Sequence, residues 1–427
     1  MNKCDKCYKS FFQKSNYDIH TCKKLIYNNT ECNSTIIEPM DNMSKLQLLE
    51  KCKELEITKC SSKNKSQLIE LINSKQQICI LPKTEIITNK TEIITDKTEI
   101  INDKIYTFIE LCSGGGGLSS GLIKSGFTPI LLNDNNSDCC KTLKLNHPKA
   151  NIICESMDKI DYSQYVGKVD LLTGGVPCQS YSQAGLRKGL DDPRGDLMMK
   201  FIEILNQIKP KLFMIENVKG LLTHDEGRTI TKIIDELNKN KLYNISYKCL
   251  DASKYNVPQK RERVFIVGVL KSINNPFEFP KESATKKVLK DVLYNVPASN
   301  GAKYNEQKIK LFKMIPQGGC WVNLPENLQR EYLGNSYNSG GGKRGILYRL
   351  SMEKPSLTLL CTPSQKQTER CHPLEERPLT IREYARIQTF EDSYEFIGSL
   401  NSQYKQIGNA VPVELAKFMG SALLKLL

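Results

Sequence analysis

A cysteine that directly follows a proline is the first candidate for chemistry: Pro177 and Cys178 sit in the glycine-rich run TGGVPCQSYSQAG. At the carboxyl end of a strand such a thiol is exposed and conformationally fixed, which presents a nucleophile rather than burying a core cysteine. The next apolar run closes in Glu216-Asn217-Val218, which puts a carboxyl group at the neighbouring strand tip. In VPQKRERVF, Arg261 and Arg263 fall on one side of an extended segment with Gln259 in phase. A thiol, a carboxyl group and paired guanidinium groups form a constellation suited to nucleophilic and acid–base work.

A second group of residues suits a ligand rather than a reaction. The run CSGGGGLSSG follows an apolar strand, and Gly114, Gly116 and Gly117 let backbone approach a bound molecule closely. A helix N-terminus after that run offers free amides and the positive end of a dipole. The spacing is not the dinucleotide GxGxxG, and glycine runs are often plain turns. Asn133 and Asp134 end the second strand, where an acid in such folds holds ribose hydroxyls. Together the two features point to a nucleoside-containing cofactor.

A third group could bind metal. Cys4, Cys7 and His20 have the spacing of a zinc-finger hairpin and helix, with Phe11 and Tyr17 as its small core. Cys22 is the nominal fourth ligand, but two positions two apart on a helix point about 200° from each other, so the helix must end at His20. Cys32 is a substitute ligand, and a free Cys/His cluster in a frayed terminus is the alternative reading.

Positioning these groups requires several modules. Arginine is absent before residue 105, and the chain divides there. Residues 1–32 form the zinc-finger-like motif. Residues 42–75 carry apolar residues at helical spacing, with Ser44 and Gln47 as a capping box and Ser66 as the expected cap of a second helix. That pair resembles the SAP helix-extended-helix module, a small DNA-binding unit, and equally fits an ordinary helical hairpin. Residues 83–104 repeat KTEIITN, KTEIITD, KTEIIND and read as a low-complexity linker. From 105 onward YTFIEL, PILLND, NIIC, VDLLTGG, LFMIEN and RVFIVGVL alternate with helical stretches such as 196–207 and 228–239. Alternation of this kind predicts an α/β fold with a doubly wound, mostly parallel sheet, its ligands beyond the carboxyl ends of the strands.

From 105 to 427 the chain resembles the DNA (cytosine-5) methyltransferases. ELCSGGGGLSSG, LLND, GGVPCQSYSQAG, DPRGDL, MIENVKGL, NVPQKRERVF, RPLTIREYARIQTF and QYKQIGNAVP follow the family's motif order. The resemblance implies a class I methyltransferase fold from residues 105–270 plus 377–427, completed by the C-terminal helix, with a target-recognition domain inserted at 271–376. It implies that S-adenosyl-L-methionine binds at Glu110, Cys112, Ser113, Gly114, Gly116, Gly117, Asp134, Ser156, Met157, Pro177, Asn409 and Val411. Cys178 would add to carbon 6 of a flipped-out cytosine, Glu216 would hold a proton against ring nitrogen 3, and Arg263 with Arg261 would hold the base, beside Gln259 and Ser182. The segment from Ser180 to Arg194 would be the lid over that base. Three departures weaken the implied adenosine contacts: Cys112 replaces a stacking aromatic residue, Asp134 replaces a Glu, and Ser156 replaces an Asp. Cofactor affinity below the family's usual range is therefore expected, measurable by calorimetric titration.

Composition bounds the remaining choices. The 427 residues include 61 Lys+Arg against 47 Asp+Glu, a net of +14, which suits an anionic partner such as double-stranded DNA. The segment 271–376 has 16 basic and 10 acidic residues, so its +6 is the largest share. Apolar runs are far short of the roughly 20 residues that span a bilayer, so no membrane partner is expected and the protein is read as soluble and intracellular, nuclear or cytoplasmic. Sixteen cysteines in this length are too dilute for a disulfide scaffold. The implied partners are duplex DNA and optionally a cognate restriction endonuclease, with one structural zinc at the front. A tRNA-methylating relative and a catalytically silent DNA-binding protein are the alternatives; the intact Cys178 and Glu216 disfavour the second.

Overall fold

The computed structural model describes residues 2–3, 10–11, 44–54, 63–69, 104–176, 196–338, 345–366 and 369–427. The chain divides into two units, Met1–Ile100 and Ile101–Leu427.

In the first unit Asn2–Lys3 pairs antiparallel with Ser10–Phe11. A helix spans Lys45–Glu54. It opens as expected: Gln47 N donates to Ser44 Oγ at 3.4 Å and Ser44 N donates to Gln47 Oε1 at 2.7 Å. Residues 65–69 are also helical, but the cap is Asn64 rather than Ser66. Asn64 and Gln67 exchange bonds of 3.0 and 3.1 Å, and Ser66 falls inside the first turn. Either residue type can cap; an amide oxygen placed three residues before Gln67 closes the reciprocal pair, which Ser66 is too close to do. Leu48, Cys52 and Leu68 are fully buried. Cys4, Cys7, His20, Cys22 and Cys32 lie outside the described residues, among which no group of three or more His, Cys, Asp or Glu could hold a metal.

In the second unit seven strands make one sheet: β1 Tyr106–Leu111, β2 Phe127–Asp134, β3 Asn151–Cys154, β4 Leu171–Gly174, β5 Leu212–Val218, β6 Tyr243–Asp251 and β7 Glu262–Leu270. Their spatial order is β3-β2-β1-β4-β5-β7-β6, with β7 antiparallel to both neighbours and the other pairings parallel. The near-continuous apolar runs divide by parity. Ile109, Phe213, Ile215, Val264 and Ile266 enter one core, whereas Phe108, Leu212, Met214, Phe265 and Val267 enter the other. A strand alternates its side chains between faces, so burial on both faces demands apolar residues at every position.

Helices α1 (Gly117–Ser125), α2 (Ser137–Asn146), α3 (Asp196–Ile208) and α4 (Arg228–Asn238) belong to the expected alternation. Helices α3 and α4 place Phe201, Leu205, Ile233 and Leu237 in the first core. Helix α1 shares the second core with the last helix of the chain: Leu118 and Leu122 meet Leu415, Met419 and Leu423. A Cβ at Gly121 would collide with Ala416, so only glycine admits this close approach. The C-terminal helix thus packs on α1 beside the sheet. Strand β6 is absent from the sequence reading because Tyr243–Asp251 alternates Asn, Ser and Lys with apolar residues at the sheet edge.

Between β7 and the C-terminal helices lie α5 (Glu306–Lys313) and α6 (Glu326–Leu333), then α7 (Ile381–Ile387), α8 (Leu400–Asn409) and α9 (Val413–Leu424). The segment 271–376 has a core of its own around Phe312, Leu324, Leu333, Leu347 and Cys371. Its ends do not stand apart: Leu289, Leu350 and Leu359 share a third core with Leu379, Tyr384, Tyr404 and Val413. No described helix is long and apolar enough to cross a membrane.

Candidate active site

The glycine run lies at the tip of β1, between β2 and the C-terminal helices. Ser113 N donates to Asn133 O at 2.8 Å, and Gly114 N donates to Asp134 Oδ2 at 2.8 Å. The other carboxylate oxygen of Asp134 accepts from Asn136 N at 2.8 Å. Asp134 is thus fixed by backbone amides at the second strand tip, and burial raises its pKa despite them. Cys112 takes a left-handed φ of 54° that side chains rarely adopt, a departure from ordinary backbone located at the glycine turn. Burial pushes its thiol up to about 12, so it is a neutral wall rather than a nucleophile.

Two hydroxyl groups hold the glycine carbonyls. Tyr394 donates to Gly115 O at 2.9 Å and Ser120 Oγ donates to Gly116 O at 2.6 Å. His147 Nε2 lies 3.3 Å from the same tyrosine oxygen, and burial holds its ring neutral with a pKa lowered to about 4. A Cβ at Gly116 would strike the Tyr394 hydroxyl, and one at Gly117 would strike the Val411 carbonyl. Ser120 N also donates to Gly116 O at 3.0 Å, and the amides of α1 ahead of it have no partners inside the helix and suit an anionic or electron-rich group. Ser120 and Tyr394 escaped the sequence reading because hydroxyls in a helix and in a loop carry no spacing signal.

Glu110 is 1% exposed beneath this turn, and its Oε2 has no hydrogen-bond partner. Desolvation is the main cause of a pKa raised to about 8. An unpartnered buried acceptor beside an amide-rich turn is chemically suited to the ammonium and sulfonium charges of S-adenosyl-L-methionine, so the residues present fit that cofactor. Other expected contacts differ in kind. The Ser156 hydroxyl donates to Asp158, whose carboxylate is held down to about 2 by Ser156 and by Lys200, 3.0 Å away. Met157 is buried in the first core, where its side chain supplies an apolar wall.

At the tip of β5, Glu216 is 8% exposed. Arg263 Nε lies 2.9 Å from Glu216 Oε1. The register explains this meeting, since Val218 and Arg263 are paired across the antiparallel β5/β7 ladder. Burial nevertheless outweighs Arg263 and Arg261 and leaves the Glu216 pKa raised. Gly175 passes beside the same group, its Cβ position 3.4 Å from Glu216 Oε2, and the chain enters the Pro177-Cys178 run from there. Pro177, Cys178 and Ser182 lie outside the described residues.

Arg261 and Gln259 differ from the sequence expectation. Arg261 is 1% exposed and its guanidinium donates to the carbonyls of Leu359, Gly408 and Asn409. Gln259 is fully buried, donating to Gln388 and accepting from Leu359 N at 3.0 Å. Both are consumed by backbone and buried amides rather than presented to a base. Only the odd-numbered phase was legible beforehand; which of the phased residues faces open space depends on the segments that cover them. Asn409 Oδ1 accepts from Cys361 Sγ at 2.9 Å. In RPLTIREY the charged residues are structural: Arg377 makes paired bonds to Glu383, which with Thr380 caps α7.

Sheet order, glycine turn and buried acid together define the class I S-adenosylmethionine-dependent methyltransferase fold. Solved structures agree on that fold: a putative DNA modification methyltransferase encoded within an E. coli prophage superposes with a TM-score of 0.55 at 24% identity, over 75% of this chain and 99% of that one. The model of the family "C-5 cytosine-specific DNA methylase" matches residues 106–425, and the chain belongs to that family. It is 47% identical over 336 residues to Type II methyltransferase M.PspPI of Psychrobacter sp. (strain TA137), covering 75% of this chain and 80% of that protein. Type II methyltransferase M.Eco47II of Escherichia coli is 45% identical over 337 residues, 76% of this chain and 80% of the relative. The activity is that of an S-adenosylmethionine-dependent DNA cytosine-5 methyltransferase.

Proposed function

We propose that the chain methylates a flipped-out cytosine within a specific duplex sequence through a covalent bond from Cys178. The observation that supports this reading most directly is the buried Glu216–Arg263 pair at the mouth of the Pro177-Cys178 run. The Cys178 thiolate adds to carbon 6 of the ring, and the displaced electron pair makes carbon 5 nucleophilic. Glu216, its pKa raised by burial, would hold a proton against ring nitrogen 3 and stabilise that electron flow. Arg263 orients the carboxyl group from 2.9 Å. Bound S-adenosyl-L-methionine supplies the methyl group. Loss of the carbon 5 proton to a base and departure of Cys178 as thiolate restore the ring. Glu110, Ser113, Gly114, Gly116, Gly117, Asp134, Asn409 and Val411 would hold the cofactor, with Cys112 and Met157 as walls and Ser156 and Pro177 at its edge. Ser182 belongs to the lid.

The names of the relatives support a restriction-modification setting, in which the partner would be an endonuclease cutting the same site. For the front unit, residues 1–32 are read as a zinc-finger-like motif and 42–75 as a SAP-like module. Deleting residues 1–80 should weaken general DNA affinity while turnover on short saturating duplexes is kept. The central experiment incubates the protein and Cys178→Ala with tritiated S-adenosyl-L-methionine and either duplex DNA or tRNA. Label in DNA alone, abolished by the substitution, is expected. Label in tRNA, or label that survives the substitution, refutes the reading.

A further inference from the structure

Helix α8 ends just before the cofactor-side Val411; Ile407 O accepts from Ala410 N at 3.2 Å, and the carbonyls after it have no partners within the helix. Two buried side chains supply them. Gln388 Nε2 donates to Ile407 O at 2.7 Å and to Ala410 O at 3.2 Å. Arg261 Nη2 donates to Gly408 O at 2.9 Å and to Asn409 O at 3.3 Å. Four consecutive carbonyls are thereby held by one amide and one guanidinium group.

The far ends of the same side chains run into the inserted segment. Arg261 Nη1 donates to Leu359 O at 3.2 Å. Gln388 Oε1 accepts from Gln259 Nε2 at 2.9 Å, and Gln259 Oε1 accepts from Leu359 N at 3.0 Å. Both polar groups of Leu359 are thus tied to the turn that carries Asn409, and Cys361 adds the direct bond to the Asn409 side chain. Gln259 and Gln388 are fully buried and Arg261 is 1% exposed, so water cannot replace any of these bonds if one end moves. A displacement of residues 356–361 must break the chain of bonds or drag the α8 terminus along.

We propose that Gln388, with Arg261 and Gln259, is a positioning relay that makes the grip of Asn409 and Val411 on S-adenosyl-L-methionine depend on engagement of the inserted segment with DNA. This rests on the methyltransferase reading above. DNA that favours one placement of the segment around Leu359 favours the same placement of Asn409. Linkage then requires cofactor and DNA to strengthen each other by equal factors.

The test measures the dissociation constant of S-adenosylhomocysteine for the full chain, alone and with a duplex containing the site identified from the methylated DNA. The wild type should bind about tenfold more tightly with DNA, within the range usual for coupled sites. Gln388→Met keeps the side chain's length and removes the bonds to Gln259, Ile407 O and Ala410 O while those of Arg261 remain; the ratio should fall by at least about threefold, while kcat at saturating cofactor and DNA changes by less than about twofold. Gln388→Glu retains the acceptor toward Gln259 and loses both donors to α8, so its ratio should be intermediate; it also serves if the Met variant does not fold. Leu237→Ala, a destabilising change in α4, should lower thermal stability and keep the full ratio, which separates the relay from stability in general. A Gln388→Met protein with the wild-type ratio, a wild type with a ratio of one, or a Leu237→Ala protein that also loses the ratio overturns the proposal. A wild type that transfers no methyl group to DNA fails the functional reading itself, and is recognised independently by the tritium assay.

Discussion

Two buried carboxyl groups sit one strand apart from the sheet's centre, Glu110 at the end of β1 and Glu216 at the end of β5, and they differ in their counter-charge. Glu110 has no cation beside it, and its pKa rises to about 8. Glu216 has Arg263 at 2.9 Å and Arg261 nearby, yet its pKa is also raised. Desolvation dominates both, but what it prepares is different. An acid with no cation is a vacancy for a positively charged ligand, whereas an acid already oriented by a guanidinium group is equipped to hold and pass a proton. The same residue type at two strand ends is thus assigned two tasks by its neighbours.

Three substitutions sharpen or break this contrast. Glu216→Gln should have the largest effect, slowing single-turnover methyl transfer by about 10²- to 10⁴-fold, the usual contribution of a positioned acid, with cofactor affinity unchanged. Retention of wild-type rates would show that the carboxyl group has no part in the chemistry. Glu110→Gln should instead act on binding and on pH dependence. In the wild type, affinity for the cationic cofactor should increase as pH passes through about 8 and Glu110 ionises. The variant should show a flatter profile by titration calorimetry. Stability follows the opposite sign: because the folded pKa lies above the ordinary 4.5, the folded state keeps a proton that the unfolded chain loses. Thermal stability should therefore fall as pH rises from about 4.5 toward 8, and Glu110→Gln should lessen that fall. An unchanged melting profile would place Glu110 in a far wetter site. Tyr394→Phe should be mildest. It leaves the Gly115 carbonyl without its hydroxyl donor at a cost of about 1 to 3 kcal/mol, raising the cofactor KM while kcat holds. A fall in kcat alone would detach Tyr394 from the cofactor turn.

Much of this molecule was legible beforehand. The apolar runs announced six of the seven strands; in the inner ones burial on both faces removes polar residues from every position, while the edge strand β3 shows only as the short run NIIC. Strand β6 was missed since an edge needs only one apolar face. The Ser44–Gln47 cap could be read from a three-residue spacing, and the choice of Asn64 over Ser66 turned on where the same spacing reached Gln67.

Residue types and order along the chain determined the chemistry on offer: a thiol after a proline, acids at strand ends, glycines at a turn and the family to which these belong. Those are local properties, and the backbone of a strand or turn expresses them wherever it folds. Only the tertiary structure decided which of these groups face open space. Arg263 reaches Glu216 because β7 runs antiparallel to β5, while Arg261, two residues earlier, is enclosed by Leu359 and the end of α8. Tyr394 and Gln388 gained their roles in the same way. Their partners are separated by long stretches of chain, and a buried hydrogen bond depends on where those stretches meet rather than on either sequence alone.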